Sequence, residues 1–189
     1  MNSYHPMRLR LGVAMAVKGG RTAIVGSEVF EKRNLDGRTV YSFEIGSIDR
    51  IPGTVEGTRD RVIDYITKLA EFKPCVMTDI GSPQGEALLR AMRDGWPKDI
   101  HRPHAYEGVG DRKPLFSAFL HAYSNGRVVI PKKLKHRAEL DKSLVFFMGS
   151  GHAKEGLELE SEDEAMVVAL GLSLVWPIHG QQQARKFEG

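Results

Sequence analysis

Two groups of acidic residues in this sequence could support chemistry. The first is Asp79, which follows the short apolar run Cys75 to Met77 and precedes a Gly-Ser-Pro-Gln-Gly turn. The pattern predicts a buried strand that ends in a carboxylate, before a helix from about Glu86. Open α/β sheets bind their ligands at such strand ends. Gly81 and Gly85 in the turn permit positive φ and let another chain approach closely. The alternative is that Asp79 only caps the next helix.

The second group is the acidic run from Glu158 to Glu164, which precedes an apolar helix predicted for Ala165 to Val175. On such a helix Asp163 shares a face with a good apolar stripe, and Glu164 shares a face with a poorer one. The stripes are Met166, Val167, Leu170 and Leu174 for Asp163, and Val168, Gly171 and Val175 for Glu164. We therefore predict Asp163 as the functional acid and Glu164 as the second choice. The alternative is that these acids only interact favourably with the helix dipole.

The elements that must position these acids follow from the apolar pattern. Alternating apolar residues predict three antiparallel strands before any long helix. Helical spacing of apolar residues predicts four helices after them. Two further short strands are predicted between these helices. The antiparallel strands are 8–17, 22–30 and 39–51; the helices are 58–69, 86–93, 113–123 and 134–147; the short strands are 101–106 and 127–130. The predicted fold class is α/β, with a mixed sheet of three antiparallel strands followed by parallel strands, flanked by helices.

Carboxylates that converge on one end of such a sheet suit two-metal phosphodiester hydrolysis. Two divalent cations roughly 3.5–4 Å apart need bridging carboxylates, so that one metal activates water and the other stabilises the leaving oxygen. The ribonuclease H-like architecture supplies these acids from its first strand, a central strand and a late helix. His152 could contact a metal or a phosphate, although a lone histidine in a Gly-rich loop is more often polar surface.

The composition sets further limits on function. A chain of 189 residues with a net charge of +3 fits one globular domain and allows, without requiring, a polyanionic partner. The single cysteine, Cys75, excludes a disulfide framework and a cysteine zinc cluster. The sequence shows neither a signal peptide nor an apolar run of membrane-spanning length. We therefore expect a soluble, intracellular protein.

A cluster of basic residues lies in the second half of the sequence. Lys132, Lys133, Lys135, His136 and Arg137 gather at the start of the predicted helix 134–147. Cations at the start of a helix interact unfavourably with the helix dipole, so something other than local helix stability favours these residues. Candidate DNA-phosphate contacts are Lys132, Lys133, Lys135 and Arg137, and the alternative is a solvated charged face.

Four segments, in order, carry a more specific signal. They are an Ile-Pro-Gly-Thr stretch leading into a helix (51–66), an Asp followed by glycines at positions 81 and 85 (79–85), a Lys-Pro helix entry leading through Asn-Gly to a strand that ends in Pro (112–131), and acids opening an Ala-rich helix that ends in Trp (162–176). Together they resemble the nuclease domain of the large terminase subunit of tailed bacteriophages, the DNA-packaging motor protein. The resemblance covers about residues 8 to 177, with the glycines of the second motif shifted.

The resemblance implies a ribonuclease H-like nuclease domain at residues 8–177, with a leader at 1–7 and a flexible tail at 178–189. It implies a metal-dependent endonuclease that cuts concatemeric DNA during packaging, with two Mg or Mn ions held by Asp79 and Asp163. The implied partners are double-stranded DNA and a packaging ATPase or portal protein. The implied location is the host cytoplasm during phage assembly.

This sequence departs from the family in two ways. The position that matches the family's first acid is Ala14, between Val13 and Met15, and alanine has no ligand to offer. The Gly-x-x-x-x-Gly-Lys-Ser/Thr phosphate loop of the motor ATPase does not occur in this sequence. Two alternatives therefore stay open: a catalytically inactive module of the same fold that binds DNA or a partner protein, and a junction-resolving nuclease of the same superfamily, which would act as a dimer.

Overall fold

The computed structural model describes residues 9–16, 20–33, 35–106, 113–150 and 164–174. Six strands form one mixed sheet: β1 (Leu9–Met15), β2 (Arg21–Arg33), β3 (Thr39–Pro52), β4 (Cys75–Asp79), β5 (His104–Tyr106) and β6 (Val128–Val129). Their order across the sheet is β5-β4-β1-β2-β3-β6. Strands β1, β2 and β3 pair antiparallel, whereas β4 is parallel to β1, β5 to β4 and β6 to β3.

Five α-helices flank this sheet within the described ranges. They are α1 (Val55–Lys68), α2 (Pro83–Asp94), α3 (Lys113–Ser124), α4 (Arg137–Ser150) and α5 (164–174), and a 3-10 turn, Ala70–Phe72, follows α1. None of the helices in these ranges combines the length and the apolar character needed to span a bilayer. The fold class predicted from the sequence is confirmed, because three antiparallel strands precede the parallel ones and helices cover the sheet.

The side chains of β1 alternate between two apolar cores, one on each face of the sheet. Leu11 and Val13 pack into a core that contains buried residues of α1 and α2. Ala14 belongs to the other core, which contains buried residues of α3, α4 and α5. This period of two is expected of a strand covered on both faces. Position 14 therefore faces α5 and not α1.

The boundaries of α2 and the behaviour of the nearby glycines differ from the prediction. The helix begins at Pro83, three residues before Glu86, because Ser82 caps it: the Gly85 amide donates a 3.1 Å hydrogen bond to Ser82 Oγ. Proline at the first helical position costs no hydrogen bond, since that N–H would have no partner in the helix. Positive φ among described glycines occurs at Gly37 and Gly126, and not at Gly81 or Gly85.

The start of α4 also differs from the prediction. The helix begins at Arg137 and not at residue 134, because His136 has φ 60°, which a right-handed helix does not allow. Lys132, Lys133 and Lys135 therefore lie in the turns before α4. The helix-dipole argument does not apply to these three lysines, since they are outside the first helical turn.

Arg10 is a buried charge in β1 that the sequence analysis did not single out. Arg10 is 3% exposed. Among the described residues, its Nε and Nη1 atoms have no hydrogen-bond partner. Burial lowers the pKa of the guanidinium to about 10, so the group remains charged at neutral pH. Burying a guanidinium with two of its nitrogen atoms unpaired among the described residues is costly, because these atoms have lost their hydration. Arg10 is thus expected to destabilise the fold.

Replacing Arg10 by methionine is expected to raise the free energy of unfolding by about 1–4 kcal/mol, because apolar side chains of similar length often pack better than buried ions. Urea unfolding of both proteins measures this difference. Arg21→Met, at an exposed position of β2, is the control and should change stability by less than about 0.5 kcal/mol. A loss of stability in Arg10→Met would show instead that an anionic group compensates Arg10.

Candidate active site

Asp79 and Ala14 lie next to each other at the carboxyl ends of two parallel strands. The last pair in the register of β1 with β4 is Val13 with Thr78, so Ala14 and Asp79 follow as neighbours one residue further along. Gly12 pairs with Met77, and Met77 and Ala14 lie in the same core. Asp79, two residues after Met77, is therefore on the face that Ala14 shares. Both residues are buried: Ala14 is 0% exposed and Asp79 is 4% exposed.

The turn after β4 fits closely against Asp79. The N-cap of α2 is Ser82, so capping this helix is not the role of Asp79. A Cβ built at Gly85 would collide with the Asp79 carbonyl oxygen and would lie 3.1 Å from the Asp79 carbonyl carbon. Gly85 thus allows the close approach of the backbone of its own chain at Asp79, and neither positive φ nor contact with another chain accounts for this contact. The first turn of α2 holds the backbone of Asp79 in place.

Helix α5 runs antiparallel to β1, which brings its amino end to the carboxyl ends of β1 and β4. Beside the start of β1, Ser27 Oγ donates a 2.8 Å hydrogen bond to the Ser173 carbonyl oxygen. Further along β1, Gly12 lies against the backbone of Ala169. A helix rises about 1.5 Å per residue and a strand about 3.3 Å. The beginning of α5 is therefore level with Ala14 and the residues just after it.

Glu164 lies at this end of α5 but on the face that is turned toward α3. It precedes Gly171 by seven residues, so both occupy one helical face. A Cβ built at Gly171 would lie 3.1 Å from Leu115 Cβ of α3, whereas Gly12 of β1 meets residues 169, 172 and 173 of α5. Glu164 is partly exposed and has an interaction partner. The geometry thus does not favour Glu164 as a group that reaches toward Asp79.

The apolar helical faces that favoured Asp163 over Glu164 in the sequence do not distinguish the two residues in the structure. Every residue from Ala165 to Leu174 is buried, because α5 lies between the sheet and α3. A helix that is apolar on all sides has no single preferred inward face. Asp163 itself lies outside the described residues, as do Glu162, His152 and Trp176. The prediction that Asp79 and Asp163 approach within metal-bridging distance stays a prediction.

The basic cluster follows β6, which is the edge strand opposite β5 in the sheet. Lys132, Lys133 and Lys135 are exposed in the turns between β6 and α4. The pKa of the nearby Glu139 carboxyl is lowered by a hydrogen bond from its own backbone, by His136 at 3.2 Å and, least, by Arg50 of β3.

Arg50 pairs with Ala23, which in turn pairs with Ala14. With strands about 4.8 Å apart, the strand of Arg50 is about 14 Å from that of Asp79, three strands away. The influence of Arg50 on Glu139 indicates that the start of α4 lies on the same side of the molecule as that end of β3.

Arg137 differs from these lysines because its guanidinium is used within the protein. Its Nε donates to Asp141 Oδ1 at 2.7 Å and to Oδ2 at 2.8 Å, and Nη1 donates to the Ile130 carbonyl oxygen. These bonds join the first turn of α4 to the chain that leaves β6. Arg137 therefore has a structural role, and its predicted contact with DNA stays untested.

A cavity of about 250 Å³ opens at the opposite end of β1 from Asp79. Its walls include Leu9, Tyr65, Leu69 and Pro74, together with Gly46, where a Cβ would meet no atom within 4 Å. Because Pro74 precedes β4 and Asp79 ends it, the cavity is about the length of β4 away from the candidate site. The cavity is therefore separate from the acids discussed here.

The sheet order, the strand directions and the helices on both faces define a ribonuclease H-like fold. No family model matches the sequence, and no curated protein matches it. Solved structures do match. The chain is similar to the nuclease domain of the large terminase g2p from bacteriophage SPP1 with bound Mn, with a TM-score of 0.55 and 11% identity over 91% of this chain and 86% of that chain.

The chain is also similar to the human cytomegalovirus terminase nuclease domain. The structure soaked with Mn and bound to an inhibitor matches with a TM-score of 0.53 and 9% identity over 90% of this chain and 85% of that chain. A second structure of this domain matches with a TM-score of 0.51 and 10% identity over 93% of this chain and 86% of that chain. The resemblance stated from sequence motifs is confirmed at the level of the fold.

The metal ions of these relatives require oxygen ligands, and the described residues do not supply a full set. Within ranges 9–16, 20–33, 35–106, 113–150 and 164–174, no three His, Cys, Asp or Glu side chains gather where they could hold an ion. At the paired strand ends, position 79 presents a carboxylate and position 14 presents a methyl group.

Sequence reasoning missed two residues of β1, Gly12 close to this site and Arg10 in the wall of the cavity at the other end of the strand. Gly12 carries no side chain in the middle of an apolar strand, which is itself a signal of close backbone approach. Arg10 interrupts the same strand with a charge. Both signals were present in the alternation of β1, but only the packing of α5 on Gly12 shows what the missing side chain means.

Proposed function

We propose that this chain is the nuclease domain of a DNA-packaging terminase and that Ala14 leaves its site one acid short. The fold is built to cut concatemeric double-stranded DNA by metal-dependent phosphodiester hydrolysis. The observation that carries the proposal is the register of β1 with β4, which pairs a methyl group with Asp79 on the face covered by α5. Similarity to domains described as terminase nuclease domains, two of them with Mn, supports it.

In this proposal Asp79 and Asp163 are the remaining acids that would hold two divalent cations, Mg or Mn, with Glu164 as the second choice on α5. When bound, such ions supply an activated water and stabilise the leaving oxygen. The packaging ATPase or the portal protein is the proposed protein partner, because the nuclease must act in step with DNA translocation. With a methyl group at position 14, we expect hydrolysis by the chain as it stands to be very weak.

A second candidate function is a catalytically inactive module of the same fold that binds DNA or a partner protein. The fully buried methyl group of Ala14 favours it, since the apolar core on this face is complete without a metal. The two functions predict different outcomes when an acid is restored at position 14. Plasmid nicking by the Ala14→Asp protein supports the nuclease, and its absence supports the binding module.

Neutralising the basic cluster tests the DNA-binding part of either function. The triple variant Lys132→Gln, Lys133→Gln and Lys135→Gln should bind duplex DNA more weakly whatever the sequence. It should also flatten the slope of log K against log salt by about one unit for each lost phosphate contact. Fluorescence anisotropy with a labelled duplex between about 50 and 200 mM salt measures both effects.

A matched triple variant removes the same charge elsewhere. Lys68, Lys73 and Lys98 are exposed, and they lie before β4 or after α2, at the end of the sheet away from Asp79. Changing these three to glutamine should leave the salt slope nearly unchanged. Equal slopes for the two triple variants would mean that Lys132, Lys133 and Lys135 form only a solvated face.

A further inference from the structure

Two arginines lie on the same face and at the same end of the sheet as Ala14 and Asp79. The first is Arg50 of β3, which pairs with Ala23 of β2, and Ala23 in turn pairs with Ala14. Residues that are directly opposite on neighbouring strands project to the same face. Ala14, Ala23 and Ile48, which is two residues before Arg50, all belong to the core that contains α5. Arg50 therefore projects to the α5 face.

The second arginine, Arg21, is the first residue of β2 and lies closer to Ala14. It precedes Ala23 by two positions, so the period of two places its side chain on the same face. Met15 pairs with Thr22, so Arg21 lies two residues beyond the level of Ala14. With strands about 4.8 Å apart and a rise of about 3.4 Å per residue, the Cα atoms of Arg21 and Ala14 are about 8 Å apart.

The guanidinium of Arg21 is available to a ligand. Arg21 is exposed, and it makes no hydrogen bond or ion pair with another residue of the described ranges. Arg50 is half-buried and already interacts within the protein, where its charge also acts on Glu139. Arg50 therefore adds positive charge to this end of the sheet, and Arg21 offers the free donor groups.

The charges of these strand ends favour an anion over a metal ion. Among the described residues, the ends of β1 to β4 on the α5 face carry one carboxylate, Asp79, and two guanidiniums, Arg21 and Arg50, while position 14 is a methyl group. Two positive charges and one negative charge attract a phosphate and repel a divalent cation. A guanidinium suits phosphate in particular, because its planar N–H groups match two phosphate oxygens.

We propose that Arg21, with Arg50 adding charge, binds a backbone phosphate of a nucleic acid beside position 14, and that this contact needs no metal ion. The inference rests on the DNA-binding part of the proposed function, and it adds a contact on β2 to the lysines that precede α4. A phosphate contact of this kind holds the nucleic-acid backbone against the sheet end that carries Asp79, and it reads no base sequence.

The test measures the binding of a labelled DNA duplex to Arg21→Gln in chelator, by fluorescence anisotropy at several salt concentrations. Loss of one phosphate contact should lower the slope of log K against log salt by about 0.9, and it should weaken binding roughly 5- to 10-fold at about 0.1 M salt. Arg21→Lys keeps the charge and should therefore keep the slope of the parent chain.

The matched control is Arg90→Gln. Arg90 is exposed on α2, which packs on the other face of the sheet, so its replacement should leave the salt slope unchanged. Both replacements are at exposed positions, so neither should change the melting temperature appreciably. Equal salt slopes for Arg21→Gln and Arg90→Gln would overturn the role of Arg21.

Three further outcomes would contradict the inference in different ways. Duplex binding that requires Mn would overturn the metal-free contact. Competition by a glutamate peptide as strong as that by unlabelled duplex of equal charge would identify an acidic protein segment as the ligand. If the parent chain binds no duplex, the DNA-binding part of the proposed function fails, whereas an effect of the three lysines without an effect of Arg21 contradicts only the inference about Arg21.

Discussion

The Ala14→Asp protein is expected to nick supercoiled plasmid in manganese, whereas the parent chain should do so at least 100-fold more slowly. The reason is the register of β1 and β4: an aspartate at position 14 would stand beside Asp79, on the same face and at the same sheet end. Two neighbouring carboxylates offer four oxygen ligands to a pair of divalent ions, whereas Asp79 alone offers two. Loss of such a ligand affects the reaction in the transition state and not only substrate binding, so the effect should appear mainly in kcat.

Two controls define what the nicking assay shows. Adding Asp79→Asn to Ala14→Asp should abolish the new activity, since the pair of carboxylates is broken again. Ala14→Asn, which has nearly the same shape as aspartate but no charge, should remain as inactive as the parent. Equal activity in the parent and in Ala14→Asp would show that position 14 is not the missing ligand position.

The second large effect is on stability. Without metal, Ala14→Asp should be less stable than the parent by about 3–5 kcal/mol, because it buries a charge without a compensating partner at a position that is 0% exposed. The proximity of Asp79 adds repulsion between like charges. Manganese at about 100 times its dissociation constant should return about 2.7 kcal/mol, because an ion that binds only the folded state stabilises it.

Thermal and urea unfolding in chelator and in manganese measure these changes. Ala14→Asn is again the matched control: it should lose about 1–3 kcal/mol from overpacking alone and should regain nothing with metal. An equal gain in stability of Ala14→Asp and Ala14→Asn with manganese would show that the ion does not bind at position 14. The parent chain, with Asp79 and no neighbouring acid in β1, should gain little stability from manganese.

Much of the fold could be predicted from local patterns because their physical causes are local. Alternation of apolar residues identified the three antiparallel strands, and helical spacing identified α1, α3 and the apolar helix after Glu164. Two helices begin at positions other than the predicted ones, because of local features that the prediction did not use. Ser82 and Pro83 start α2 earlier than expected, and the positive φ of His136 starts α4 later. The sequence also indicated Asp79 as an acid at a strand end, since the apolar run before it and the turn after it are both adjacent in the chain.

The relation between Ala14 and Asp79 is different, because it depends on two strands that are 65 positions apart in the numbering. A shift of one residue in their pairing would turn every side chain to the other face, and no local pattern specifies that register. The motif resemblance predicted a missing acid at position 14, but only the pairing shows which carboxylate it would have joined. The structural role of Arg137 likewise appears only with Asp141 and Ile130 in place.

The chain's sequence by itself determined the class of fold, the strand that ends in Asp79 and the absence of an acid at position 14. The tertiary structure decided how α5 is seated, because a helix that is apolar on every side carries no sign of its orientation. Its direction and contacts follow from the backbone approach at Gly12, the Ser27 hydrogen bond to Ser173 and the packing of Gly171 on Leu115. These are contacts between residues far apart in the chain, and their energies depend on distances of a few ångströms that a linear pattern does not contain.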